Sequence, residues 1–365
     1  MSHLVLKLHV GFYIKLVLYF LLFFHFQPLI ANKADYRYKK AFDIQKLSLE
    51  QGLSQSVVNA IAQDKNGFIW LATEDGLNRF DGYEFIVYQH DHKNKSSLHE
   101  NWVTALSIQD NKGIWLGTVS GPSFFDFSTR KFTNYGQIFP IVNQHVRDVI
   151  FDKDSGLWVA TYKGLFYRAI DSENDSPFLS IATRHFSKSH TKVISLTSSD
   201  EYIFASTDNC ILRINKFSHE TVDFCAGNKL SSLIKKSITT VYLENNNLWI
   251  GTESSGLYQY EINNDALHQY TTESLNGLAI SSDYVQDIAS HKDGSIWITT
   301  INGISIYDRN THRFTQHTQS GLGKNQLSAS DILSIFIDSS GLVWLGTYGR
   351  GVNLLNPNQQ RFEHI

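Results

Sequence analysis

The sequence FIWLAT at residues 68–73 is the first of seven related stretches in this chain of 365 residues. The others are GIWLGT (113–118), GLWVAT (156–161), YIFAST (202–207), NLWIGT (247–252), SIWITT (295–300) and LVWLGT (342–347). Their aromatic anchors follow one another at intervals of 43 to 48 residues: Trp70, Trp115, Trp158, Phe204, Trp249, Trp297 and Trp344. A period of about 40 to 50 residues, built from short strands and turns, is typical of a propeller blade.

A common pattern surrounds each anchor. Thr follows every anchor by three residues, and Gly follows six or seven residues after it in all repeats except the fourth, which has Cys210. Upstream, an apolar run ends in a turn such as DKNG (64–67), where Gly tolerates the positive φ of a tight hairpin. Each repeat is therefore predicted to be a small antiparallel sheet. The seven Thr residues are interpreted as β-branched residues that satisfy a repeated packing requirement.

One such sheet buries both faces only against neighbouring sheets, so the repeats are expected to close into a ring. The sequence thus predicts an all-β fold, a seven-bladed β-propeller of four-stranded antiparallel blades. Blade four is the expected weak point, because Phe204 replaces the tryptophan and Cys210 the glycine. Residues 42–47 and 362–365 both have the pattern of an outermost strand. The chain therefore has eight candidate outermost strands for seven blades. The amino-terminal copy is expected to complete the last blade.

The chain resembles the two-component regulator propeller repeat. The resemblance rests on GLSQSVVNAIAQDKNGFIWLATEDGLNRFDG (52–82) and QLSASDILSIFIDSSGLVWLGTYGRGVNLLNP (326–357), and it covers residues 42–365. It implies a periplasmic sensor module of a bacterial receptor whose output domain, a histidine kinase or a diguanylate cyclase, is expected downstream. It also implies that the propeller itself is not an enzyme. In the full receptor the resemblance implies a membrane span after the propeller and leaves a homodimer open.

Residues 1–31 are predicted to be a signal peptide. Lys7 and Lys15 supply positive charge, residues 16–26 are apolar, and PLIA at 28–31 offers a cleavage site. An apolar run of 11 residues is shorter than the roughly 20 needed to span a bilayer, which favours a cleaved signal over an anchor. The expected organisation is a signal peptide at 1–31 and a periplasmic sensor propeller at 42–365.

The charge balance excludes a nucleic-acid-binding class. The full chain has 32 basic and 35 acidic side chains, and loss of Lys7 and Lys15 leaves 30 against 35, a net charge of −5. A mildly acidic, mixed surface lacks the basic footprint that nucleic acid requires. No cofactor is expected, since no motif for one is present.

The two cysteines, Cys210 and Cys225, both lie in blade four. If residues 209–214 and 221–225 form adjacent antiparallel strands, the two side chains face each other. An exported protein permits a disulfide, and the alternative is two small buried apolar side chains.

Catalytic and metal patterns are weak in this sequence. His90 and His92 are interpreted as exposed loop residues, and the calcium-like stretch DKDSG (152–156) as a hairpin turn. An exported propeller enzyme, a lyase or a glycosidase acting on saccharides, remains an alternative. Its only candidate residues are Glu74, Asp75 and His145.

The ligand site is expected on one face of the propeller, where loops after the anchor strands meet loops before the innermost strands. Residues there differ from blade to blade, as specificity for one ligand requires. The predicted ligand is a small molecule such as a saccharide, and a protein-interaction propeller is a further alternative. For Trp102, internal packing and ligand contact are interpretations of equal weight. Tyr348 and Arg350 belong to an insertion in blade seven. The predicted ligand-binding residues are Trp102, Arg147, Tyr162, Lys163, Tyr284, Tyr348 and Arg350.

Overall fold

The computed structural model describes residues 41–169, 176–181, 192–207, 211–233, 236–319 and 325–361. Within the compact unit Phe42–Arg361 they form seven four-stranded antiparallel sheets, which confirms the predicted seven-bladed β-propeller. Across these ranges no helix is long and apolar enough to cross a membrane. The signal peptide expected at residues 1–31 lies outside the described residues.

Each blade runs from the central channel outward. The innermost strands are β2 (Val58–Gln63), β6 (Val103–Gln109), β10 (Val146–Asp152), β14 (Val193–Ser198), β18 (Ile238–Glu244), β22 (Val285–Ser290) and β26 (Ile332–Ile337). The second strands, which carry the anchors, are β3 (Ile69–Thr73), β7 (Gly113–Thr118), β11 (Gly156–Thr161), β15 (Tyr202–Thr207), β19 (Asn247–Thr252), β23 (Ile296–Thr300) and β27 (Val343–Thr347).

The outer half of each blade is built in the same way. The third strands are β4 (Gly76–Phe80), β8 (Gly121–Asp126), β12 (Gly164–Arg168), β16 (Ile211–Asn215), β20 (Leu257–Glu261), β24 (Gly303–Asp308) and β28 (Val352–Arg361). The outermost strands are β1 (Ala41–Leu47), β5 (Phe85–Tyr88), β9 (Phe132–Asn134), β13 (Leu179–Ser180), β17 (Thr221–Asp223), β21 (Ala266–Tyr270) and β25 (Arg313–His317).

The ring is closed by strands from both ends of the chain. The sheet of blade seven has the order β1-β28-β27-β26, so the amino-terminal strand is its outermost member. This confirms the expectation that residues 42–47 complete the last blade. Residues 362–365, the competing outer strand, lie outside the described part of the chain.

Within the described part of the chain, helical structure is confined to the connections between blades. A short α-helix, α1 (Tyr135–Ile138), and a 3-10 turn at Pro140–Val142 join blades two and three. Further 3-10 turns at Leu49–Gln51 and Lys229–Leu233 precede the innermost strands of blades one and five. These connections start from an outermost strand and return the chain to the channel.

The hydrophobic core consists of seven clusters, and each cluster joins two neighbouring blades. Trp70 of blade one, for example, packs against Phe125 of blade two, with ring centroids 5.5 Å apart. In blade four Phe204 occupies the anchor position and is 3% exposed. Seven interfaces between seven blades leave no blade without a partner on either side, which is the physical reason for closure.

The indole nitrogens of the anchors have partners that the sequence pattern did not reveal. Trp70 and Trp344 donate to the carboxylates of Asp64 and Asp338, at 2.9 and 2.8 Å. These aspartates also begin the hairpin turns that precede the anchors. The remaining pairs are Trp115 to Gln109, Trp158 to Ser155 and Trp297 to Ser295. The nitrogen of Trp249 is buried and has no partner among the described residues.

The repeated Thr is buried in every blade, as the packing interpretation requires, and it also acts through its hydroxyl group. In the six blades that have this Gly, the hydroxyl donates to the Gly carbonyl at the start of the third strand, and it accepts from a backbone amide of the intervening turn. Thr73, for example, donates to Gly76 at 2.9 Å and accepts from Asp75 at 3.2 Å. The same donation is made by Thr118, Thr161, Thr252, Thr300 and Thr347. A Val of similar shape would satisfy packing but not this turn.

Candidate functional site

A β-bulge in every innermost strand shapes the central channel. The pairing register with the second strand shifts just after the first residue in all seven blades. A bulge redirects the extra side chain away from the regular face of the sheet. The redirected second residues all line one cavity of about 490 Å³: Asn59, Thr104, Arg147, Ile194, Thr239, Gln286 and Leu333.

Several bulge residues link their blade to the next one. Asn59 donates to the carbonyl of Val103 at 2.8 Å, and Thr104 donates to the carbonyl of Val146 at 2.8 Å. In blade five Thr239 makes the equivalent bond across to blade six. These side chains are therefore occupied with holding the ring together.

Arg147 occupies the bulge position of blade three. Unlike these bulge residues, it makes no hydrogen bond to the next blade among the described residues. Among the described residues its guanidinium group makes no ion pair and no hydrogen bond. Its central carbon instead lies 5.6 Å from the ring centroid of Tyr162. The ammonium group of Lys192, from the loop that enters blade four, lies 5.5 Å from the same ring. Two cations thus share one tyrosine ring on this wall of the cavity.

Aromatic side chains continue that wall toward blade two. Trp102 and Tyr162 are 43% and 40% exposed, which is unusual for such large apolar groups. His145 lies between them, with its ring 6.2 Å from that of Trp102 and 4.9 Å from that of Tyr162. The three rings form a stepped aromatic surface at the channel mouth.

The histidine of this surface is held neutral. Burial, and secondarily the positive charge of Arg147, lower the pKa of His145 below its usual value. The Nε2 atom of His145 is buried and has no hydrogen-bond partner among the described residues. A buried polar atom without a partner costs free energy unless a ligand or water satisfies it.

Blades five and six supply the opposite wall. Glu253 follows the anchor strand of blade five, and Tyr284 precedes the innermost strand of blade six. Burial and the nearby negative charge of Glu253 raise the pKa of Tyr284, whereas the charge of Arg147 lowers it. Arg147 and Glu253 both act on this hydroxyl, so the two opposite charges lie within electrostatic range of Tyr284.

Two carboxyl groups lie deeper in the channel, at the residue after the bulge. Asp148 accepts from the amides of Val149 and Leu196, at 2.8 and 2.7 Å. Asp287 makes the same pair of bonds in blade six, to Ile288 and to Ile335 of blade seven. Burial raises the pKa of Asp148 to about 6 and that of Asp287 to about 7.

The carboxyl group of Asp287 is expected to make the protein less stable as the pH rises from about 4 to about 7. Its raised pKa means that the folded state holds a proton that the unfolded chain releases near its ordinary pKa of 3.8. The resulting stability is complete below that pH and is lost through the folded pKa. His145 and His219, whose pKa values are lowered by burial, act in the opposite direction.

The test compares the wild type with Asp287→Asn by urea denaturation at several pH values. Between about pH 5 and pH 8, the free energy of unfolding should fall by about 1 to 2 kcal/mol less in the variant than in the wild type. One pKa unit corresponds to about 1.4 kcal/mol, and residual exposure of the carboxyl group reduces the effect. Exposed Asp154→Asn is the control. Parallel pH profiles for wild type and Asp287→Asn would contradict the assignment.

Four of the seven predicted ligand residues lie on the cavity wall, namely Trp102, Arg147, Tyr162 and Tyr284. Their role in ligand binding stays a prediction. Lys163, Tyr348 and Arg350 do not line the cavity. All three are exposed beside turns that the repeated Thr holds, as in the bond from the amide of Arg350 to Thr347.

The insertion predicted in blade seven is present, and blade five has an equivalent one. The turn after Thr252 in blade five is one residue longer than in most blades, as is the turn after Thr347. In blade seven the amides of Gly349 and Gly351 both donate to the carbonyl of Ser56, in the loop entering blade one. The insertion therefore contacts the rim between blades rather than the channel.

Sequence reasoning missed Lys192, Glu253 and the two channel aspartates. Each lies at a place that the repeat defines, immediately before an innermost strand, after an anchor strand, or one residue past the bulge. Comparing the position one residue past the bulge across the seven blades would have shown Asp148 and Asp287 where the other blades have Ala, Ser or Thr. The positions of Lys192 and Glu253 vary from blade to blade, so they offer no such signal.

The residues proposed for an enzymatic alternative are not brought together. His145 lines the cavity, whereas Glu74 and Asp75 do not. Glu74 accepts from Gln55 at 3.3 Å, and Asp75 accepts from Asn101 at 2.9 Å. Both carboxylates thus support loops of blade one.

Among the described residues no group of three or more His, Cys, Asp or Glu side chains is arranged to hold a metal ion. His90 and His92 contact each other, with Nε2 and Nδ1 3.0 Å apart. Asp152, in the calcium-like stretch, forms an ion pair with Lys216 of blade four and caps its own turn through Ser155.

The predicted Cys210–Cys225 disulfide stays a prediction, because Cys210 lies outside the described residues. The strand pairing on which it depends is present: β16 and β17 are antiparallel neighbours, with Leu212 opposite Asp223. Cys225 is buried, and its sulfur accepts a hydrogen bond from the amide of Ile211.

Known proteins that are similar to this chain agree with the propeller fold. The two component regulator propeller family model matches residues 52–75 and 326–349. Histidine kinase P4 of Formosa agariphila is 26% identical and aligns with 85% of this chain and 33% of its own length. This chain therefore spans about a third of that curated relative.

Solved structures add two extracellular domains from B. thetaiotaomicron. That of the putative hybrid two component system BT3049 is similar with a TM-score of 0.70 and 28% identity, covering 87% of this chain and 42% of that one. That of the putative one component system BT4673 has a TM-score of 0.65 and 22% identity, covering 86% and 40%. The second likeness shows the fold alone. The chain is thus a seven-bladed β-propeller that carries the two component regulator propeller repeat and is similar to the extracellular domain of a hybrid two component system.

Proposed function

We propose that this propeller is the sensor domain of a bacterial two-component receptor and that it binds a small saccharide at the mouth of its central channel. The supporting observation is the stepped aromatic wall of Trp102, His145 and Tyr162 beside placed polar groups. Sugar rings pack their C–H faces on aromatic side chains, while a few polar groups fix their orientation. A concave cavity of this composition favours a small ligand over a flat protein partner.

We propose that the propeller itself is not catalytic. The candidate residues of the enzymatic alternative, Glu74, Asp75 and His145, are not brought together, and the similar domain of the BT3049 system is an extracellular part of a two component protein. We propose that kinase or cyclase output belongs to another part of the receptor, reached through a membrane span. Nucleic acid is not a proposed partner.

We propose a periplasmic location, because positive charge followed by the apolar run at residues 16–26 has the composition of a secretory signal. Amino-terminal sequencing of the protein from a periplasmic extract should give a start near Asn32. Recovery of intact Met1 from the membrane fraction would contradict a cleaved signal.

Ligand binding is expected to appear as a thermal shift in a screen of neutral and acidic sugars. A ligand at 100 times its dissociation constant adds about 2.7 kcal/mol to the free energy of unfolding. Trp102→Ala and Tyr162→Ala should abolish most of that shift, since each removes part of the aromatic wall.

Tyr348→Ala is the matched control, because Tyr348 is an exposed aromatic residue on the same face but outside the cavity. It should leave the ligand-induced shift unchanged. A shift that survives both wall substitutions in folded protein, or that depends on Tyr348, would place the site elsewhere.

A further inference from the structure

The charged groups of the channel mouth are not arranged for mutual neutralisation. Arg147 and Lys192 approach the same ring, that of Tyr162, at 5.6 and 5.5 Å. Neither cation has an ion pair within the described ranges. Interaction with a tyrosine ring is weak at an exposed site, so it compensates only part of the electrostatic repulsion between the two groups.

The carboxyl groups of the cavity form no ion pair with Arg147 or Lys192 among the described residues, although the charge of Arg147 partly opposes the rise that burial causes in the pKa of Asp148. Both oxygens of Asp148, the nearest acid in sequence, accept backbone amides, from its own blade and from blade four. Asp287 is held in the same way in blade six. Glu253 is exposed on the blade-five wall. The cationic wall therefore faces the cavity with its charge available.

His145 completes this wall without adding a third charge. Its lowered pKa keeps the ring neutral near pH 7, and its buried Nε2 atom lacks a partner among the described residues. A neutral imidazole can donate or accept one hydrogen bond according to its tautomer.

Resting on the proposed saccharide site, we infer that the ligand carries an anionic substituent, a carboxylate or a sulfate, bound between Arg147 and Lys192. Hydrogen bonds between ionised groups are shorter and stronger than neutral ones, and the guanidinium fork suits a planar or tetrahedral oxyanion. The sugar ring would lie along Trp102 and Tyr162, with hydroxyl groups directed to Glu253. The preferred class is an acidic sugar rather than a neutral one.

The test uses one sugar ring with different groups at the sixth carbon. D-galacturonate, its methyl ester, D-galactose 6-sulfate and D-galactose are titrated into the protein by calorimetry at millimolar concentrations. At least one of the two acids should bind about tenfold or more tightly than galactose and the ester. Comparing the two acids distinguishes a carboxylate from a sulfate. The preference should weaken as salt is added, since the site is open to solvent.

Substitutions identify the cations responsible. Arg147→Gln and Lys192→Gln should each reduce the affinity for the acidic sugar about tenfold and should reduce the affinity for galactose by a clearly smaller factor. Lys163→Gln is the matched control, because Lys163 adjoins Tyr162 in sequence but does not line the cavity. Unchanged urea midpoints establish that the variants are folded.

The outcomes separate this inference from the proposed function. Equal affinity for galactose and both acids, absence of binding by both acids, or acid binding that survives Arg147→Gln and Lys192→Gln would overturn the anionic ligand. A neutral sugar whose thermal shift depends on Trp102 and Tyr162 would still support the saccharide sensor. Failure of every sugar to depend on those two rings would remove the proposed function as well.

Discussion

Replacement of Trp249 by alanine is expected to lower the free energy of unfolding by about 3 to 5 kcal/mol. Trp249 is 1% exposed and belongs to the cluster between blades five and six, where its ring lies 5.6 Å from that of Tyr307. Such a ring buries about 150 to 250 Å². Its removal leaves a cavity that the two rigid sheets can fill only in part.

Urea denaturation of Trp249→Ala and Trp102→Ala provides the measurement. Trp102 is 43% exposed, so its substitution should cost about 1 kcal/mol or less. Equal shifts of the urea midpoint would show that anchor and channel tryptophans do not differ as described.

A second comparison separates the contribution of the indole ring to stability from the contribution of its nitrogen atom. Trp344→Phe should cost about 1 to 3 kcal/mol more than Trp249→Phe, because the former leaves the Oδ2 atom of Asp338 without its donor. Trp249 has no such partner among the described residues. The reverse order would show that ring volume alone determines anchor stability.

Replacement of Lys216 by methionine is expected to cost about 3 to 5 kcal/mol, since it leaves a buried carboxylate without a counter-charge. Lys216 is 3% exposed and pairs with Asp152 across the interface between blades three and four. Burial alone would raise the pKa of Asp152, but hydrogen bonds from Lys216 and Ser155 outweigh it and hold that pKa below its usual value.

The controls for this ion pair are a neutral double variant and an exposed lysine. Lys216→Met combined with Asp152→Asn should recover most of the lost stability at neutral pH, because no uncompensated charge remains. Lys153→Met, at an exposed position beside Asp152, should be nearly neutral. A double variant as unstable as the sum of its single changes would show that the two side chains act independently.

Much of the architecture follows from the sequence alone. The spacing of seven Trp-x-x-Thr stretches determines the number of blades, because one blade is the smallest unit that repeats. The same reasoning assigned residues 42–47 to the last blade, since a ring with one surplus strand closes by pairing its two ends. Even the substitution at Phe204 is accommodated as expected, with a smaller aromatic ring in the same buried position.

The repeat pattern did not show why particular polar residues recur at fixed positions. Thr73 and its equivalents were interpreted as packing residues, yet their hydroxyl groups fix the following turn. Asp64 was interpreted as turn chemistry only, and it also accepts from the anchor Trp70. A one-dimensional pattern records that a residue type recurs, whereas the atom responsible is visible only in the folded blade.

The candidate site was likewise predictable from the sequence only in part. The sequence by itself determined which face of the propeller carries variable loops, and four of seven chosen residues line the channel there. Only the tertiary structure decided between Lys163 and Lys192. The first follows Tyr162 directly but extends from a turn at the rim, whereas the second comes from the next blade and approaches the same tyrosine ring. Residues of different blades meet because the bulges redirect one side chain per blade and the ring closes, which no local pattern encodes.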